Sequence, residues 1–373
     1  MTEPALEGPQ SDVTRGFCHA TYGFELGQDI DLVRCEQLLA PAVRQTIRSR
    51  GRVPHYFEYR PAPLRIPQDP PAFDIAGLDV SRVDVVLYDF GAASVNFTMP
   101  WSGDLAGLVP ISAALQDTSI LADDARERLQ RLLDTIGAAI DRPRRANLVE
   151  DYLVFELEQL EGTDARTFHV GPERVSVARI LRGAPEPLSP EEEEDALRLR
   201  LSFGTTDITI VDWNAALLYD PEPEETRELL EFANVQLVEL RHLDEELDQV
   251  VDQAYDAIAD AERGGWRMLR PPTAPLRQVG ELQINSAVLY ERVSSAVKLV
   301  GDRFLGRVYL AASERFHFAD WDQGITRKLA VTERIYQKLA DRTTARRLEL
   351  LEWIVILLIG FEIVFSLFER GRS

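Results

Sequence analysis

Trp353 to Phe368 reads WIVILLIGFEIVFSLF, and only Gly360, Glu362 and Ser366 in it are not strongly apolar. A helix with one apolar stripe packs on a core. This one is apolar all round, so it needs apolar surroundings on every side. Extended back to Leu348 it is about 20 residues long, roughly 30 Å of helix, the thickness of a hydrocarbon core. Trp353 sits near one end, as an interfacial aromatic does. The sequence therefore predicts one transmembrane anchor over 346–369, with Trp353, Ile354, Leu357, Leu358, Phe361, Glu362 and Phe365 in contact with the lipid bilayer. A carboxylate at the depth of Glu362 is expected to be neutral or to meet another helix. The alternative is a soluble oligomer whose C-terminal helices bury one another.

The rest of the chain is acidic. The formal net charge of −21 over 373 residues repels phosphate backbones, so no direct nucleic-acid partner is expected. Lys338, Arg342, Arg346 and Arg347 precede the apolar run, against Arg370 and Arg372 after it, which orients the N-terminal body toward the cytoplasm. Met1 to Asp12 has no basic start and no apolar core, so it reads as a tail and not a secretory signal. Cys18 and Cys35 are too few for a disulfide framework and read as reduced thiols.

Residues 1–14 are read as a flexible tail and 15–182 as an α/β head. Phe17 to Phe24 suits a strand, Asp29 or Asp31 caps a helix, and His55 to Tyr59 makes a short extra strand. Val83 to Tyr88 alternates, Gly91 turns the chain, and Ser94 to Thr98 returns. Asp104 to Leu115 reads as a helix, and Tyr152 to Glu158 as a strand. Strand, helix, hairpin, helix, strand fits a ferredoxin-like sandwich. Pro185, Pro187, Pro190 and the run Glu191 to Glu194 mark a linker over 183–200. From 201 to 345 apolar residues recur at helical spacing: Leu229, Ala233, Leu240, Leu243, Leu247 and Val250, then Val279 to Val308, then Leu329, Ile335 and Leu339. Such stripes predict a bundle of long helices. The fold class is thus α+β, an α/β head followed by long helices and a membrane helix.

Two segments resemble a known family. DWDQGITRKLAVTERIYQKLAD from Asp320, followed by LELLEWIVILLIGFEIVF, is similar to the C-terminal signature of the Rmd/YagE-like family, "required for meiotic nuclear division". Val85 to Phe97, VVLYDFGAASVNF, resembles that family's hairpin, with Asn96-Phe97 where its tryptophan usually stands. The resemblance implies a single-pass membrane protein with an α/β head, whose eukaryotic relatives sit in organellar membranes and support translation. It implies no catalytic residues.

Motifs of chemistry do not appear. There is no phosphate-binding loop, no dinucleotide fingerprint and no nucleophile elbow. His19, His55, His169, His242 and His317 are scattered without ligand spacing, so no metal or cofactor is expected. Glu150 with Asp151, and Glu156 with Glu158, read as solvated faces, and Asp212-Trp213-Asn214 as packing. The expected function is a non-enzymatic membrane scaffold or adaptor that docks protein partners, with a homo-oligomer among the possible assemblies. The competing expectation is a membrane-attached enzyme with a dispersed acidic site.

Overall fold

The computed structural model describes residues 14–41, 61–143, 148–159, 168, 170–171, 173–263, 284 and 303–370. Residues 1–13 of the tail expected over 1–14 and the strand expected at His55–Tyr59 lie outside the described residues, as does most of the first part of the helix expected from about Leu276 to Phe316, up to residue 302.

Alternation decides the centre of the head. In β1 (Thr14–Glu25) the even-numbered Cys18, Ala20, Tyr22 and Phe24 enter one apolar core, while His19, Thr21 and Glu25 point to the opposite face. After β2 (Asp29–Ile30), Asp31 caps α1 (Leu32–Leu38) by accepting from the Arg34 N–H at 2.9 Å. β3 (Leu64–Gln68) and the small hairpin β4 (Asp74–Ile75) and β5 (Leu78–Asp79) lead to the main hairpin, β6 (Arg82–Leu87) and β7 (Ala92–Gly103). Its turn needs Gly91. The φ there is 101°, and a side chain would run into the Gly27 carbonyl, which crosses close by. Asp104 then caps α2 (Leu105–Asp117), accepting from the Gly107 N–H at 2.7 Å, and α3 (Ile120–Ile136), β8 (Ile140–Asp141) and β9 (Val149–Gln159) follow.

α4 (Arg174–Arg182) and α5 (Pro190–Ala196) precede three more strands, β10 (Arg200–Leu201), β11 (Ile208–Val211) and β12 (Ala215–Tyr219). The stretch expected as a linker therefore carries a capped helix, and the region expected to be wholly helical opens with sheet. These strands are two, four and five residues long, too short for a period to show. The eight-stranded sheet runs β10-β11-β12-β9-β1-β7-β6-β3. Every pairing is antiparallel except β12 with β9, whose connection crosses over through α4 and α5. Leu108, Leu115, Leu121, Leu129, Ile136, Val177 and Ile180 from α2, α3 and α4 cover the apolar face.

The other face is covered differently. α6 (Pro223–Arg263) begins four residues after β12, and α7 (Arg303–Arg315) precedes α8 (Phe318–Arg370). The chain divides into two compact units: Met1–His242 with Glu291–Ala319, and Leu243–Tyr290 with Asp320–Ser373. In the second, Leu243, Leu247, Val250 and Ala254 are buried at steps of four, three and four, as are Ile325, Leu329, Thr332 and Tyr336. Lys328 bridges Asp244 at 2.7 Å and Asp248 at 2.6 Å.

Among the described residues no single helix is long and apolar enough to cross a membrane. The single-pass C-terminal anchor expected over 346–369 is corrected to that extent: the described residues provide no such span. Within the described residues the apolar part of α8 is Leu351–Phe361, about 16 Å of helix. Glu349 stands between it and Leu348, and Glu352 lies within it. Trp353, Ile354, Leu357, Leu358 and Phe361 are exposed on it; the side chains of Glu362 and Phe365 lie outside the described residues. The pair Leu105–Asp117 and Ile120–Ala139, bent by 50°, has the length of a span only when taken together, and its apolar residues line the head's core.

Candidate functional site

The face of the sheet beneath α6 is polar and buried. His19 and Thr21 of β1, Asp84 of β6, Ser94 of β7 and Glu156 of β9 are each at most 6% exposed. They share one face because they alternate with the apolar residues of the same strands, and strand register brings them together: His19 opposes Thr98, Thr21 opposes Asn96. α6 lays Arg227, Glu231, Asn234, Val238 and Arg241 on them, at steps of four and three along one side of the helix. Gly23 lets it approach, since a side chain there would meet Val238.

Glu231 is the hub. Its Oε1 accepts from the Tyr88 hydroxyl at 3.1 Å, the Ser94 hydroxyl at 2.5 Å and the Asn96 amide at 2.9 Å, and its Oε2 pairs with Arg65 at 3.1 Å. Burial pushes its pKa up, but Arg65 and the hydrogen bonds from Ser94 and Asn96 outweigh burial, so the carboxyl stays below its ordinary range. The same proximity, after desolvation, drives the Tyr88 phenol upward.

His19 forms the second centre. Its Nε2 lies 3.1 Å from Glu156 Oε2, and its Nδ1 lies 3.2 Å from the Thr98 hydroxyl. Arg227 reaches the same Glu156 oxygen at 2.5 Å. Burial lowers the His19 pKa more than Glu156 raises it, so the imidazole is neutral. Burial opposes the charge on Glu156, but His19 and Arg227 overcome it and hold its pKa low. An ionised Glu156 places the imidazole proton on Nε2 and leaves Nδ1 to accept from Thr98. Glu156 is thus a buried partner and not the solvated residue its sequence neighbours suggested. Glu150 is likewise engaged, by Arg241 and through its carbonyl by Asn234.

A third cluster joins α4, α5, α7 and the β11–β12 turn. Asp212 is fully buried between Arg182 Nε at 2.7 Å and Arg315 Nε at 3.3 Å. Both arginines also reach Asp195, at 2.5 Å and 2.9 Å, and Arg182 lies 5.4 Å above the Trp213 ring. The Tyr152 hydroxyl donates to the Asp212 carbonyl at 2.9 Å. Neither guanidinium meets the Asp212 carboxylate at hydrogen-bonding angles. Burial accordingly dominates, and the Asp212 pKa is raised to about 6 against the pull of Arg315 and Arg182.

Among the described residues no group of three or more His, Cys, Asp or Glu side chains is arranged to hold a metal ion. His317 sits at the α7–α8 junction with a left-handed φ of 55°.

The eight-stranded α+β head with a buried polar face defines a class before it defines a relative. Residues 15–226 match the family model described as "Uncharacterized protein MJ0711, N-terminal domain", and the chain belongs to that family. The uncharacterized protein MJ0711 of Methanocaldococcus jannaschii is 21% identical over 244 residues, covering 65% of this chain and 73% of that protein. No solved structure matches. The Rmd/YagE-like membership expected from the sequence is corrected by this match. It had leaned on Asp320 to Phe368, which lies outside the matched residues, and on an apolar hairpin of a common type.

Proposed function

We propose that this chain is a non-enzymatic scaffold or adaptor that docks protein partners. The observation that supports it most is the closure of the buried charges. Arg65 and Glu231, Arg227 and Glu156, and Arg182 and Arg315 with Asp195 and Asp212 are matched within the chain. Such clusters fix the register of helices on a sheet, whereas a catalytic centre directs a perturbed group at a ligand. The order β9-β1-β7-β6 supports reading the centre of the head as a ferredoxin-like unit, with β3 and β10–β12 added at its edges. Free, buried Cys18 and Cys35 support placing the body in a reducing compartment. The test is native purification of the full chain, crosslinking and mass spectrometry. Protein crosslinks on α6 and α8 that survive His19→Gln are expected. Turnover of a substrate that His19→Gln abolishes would refute the reading.

One observation favours the enzymatic alternative. Thr98, His19 and Glu156 line up as hydroxyl, neutral imidazole and carboxylate, the order in which a base draws a proton from a hydroxyl. A fluorogenic ester panel against wild type and Thr98→Val tests it; equal rates dismiss it.

A further inference from the structure

We draw no further inference here: the strongest candidate, the aligned Thr98 hydroxyl, His19 imidazole and Glu156 carboxylate on the polar face of the sheet beneath α6, belongs to the site already described.

Discussion

Removing the carboxylate of Glu231 is the sharpest probe of the head. In Glu231→Ala, Arg65 loses its closest ion partner, and the donors of Tyr88, Ser94 and Asn96 lose their common acceptor. Breaking a buried pair by deleting one member costs about 3–5 kcal/mol. Arg65 is 32% exposed and recovers some hydration, so the lower end applies, ~3 kcal/mol or more than 100-fold in the unfolding equilibrium. Glu228→Ala is the matched control. Its carboxylate meets the same guanidinium at 3.4 Å but is 33% exposed, and its loss should cost under about 1 kcal/mol. Urea titration read by hydrogen exchange in β1, β6 and β7 reports the head alone. The pH dependence has a definite sign. Because the folded pKa of Glu231 is depressed, its stabilisation is present above about pH 4.5 and disappears as pH falls through the folded value. A loss under about 1 kcal/mol for Glu231→Ala, equal to that of Glu228→Ala, would refute the idea that this carboxylate clamps α6 to the sheet.

Asp212 carries the opposite sign. Its pKa is raised to about 6 from 3.8, so the folded head binds this proton more tightly, and stability from this group should grow by about 3 kcal/mol as pH falls from 7 toward 4. Comparing wild type with Asp212→Asn across that range isolates it, and parallel curves would contradict the assignment. Gly91→Ala should destabilise the head by about 2 kcal/mol or more, since it combines a positive φ with a clash against Gly27, and a melting temperature within a degree of wild type would show that the turn relaxes.

The apolar half of the head was legible and the polar half was not. Val83, Val85 and Leu87 announce a half-buried strand, and Asp31 and Asp104 cap helices as their positions suggest. The same alternation placed His19, Thr21, Ser94 and Asn96 on a face of their own, but a polar face in a sequence reads as solvated. Only the helix that covers it reveals burial, and its charges at 227, 231 and 241 look like the wet side of an amphipathic helix. The sequence separation of 137 between His19 and Glu156 hides their pairing from any local pattern.

The family match stops at residue 226, while the hub of the polar face is Glu231. A fragment cut at residue 226 would keep Arg65, Tyr88, Ser94 and Asn96 and lose the carboxylate that gathers them. During synthesis the sheet must wait for the next turn and a half of helix before its inner charges are matched, and any excised head should carry α6 through His242 to be worth purifying.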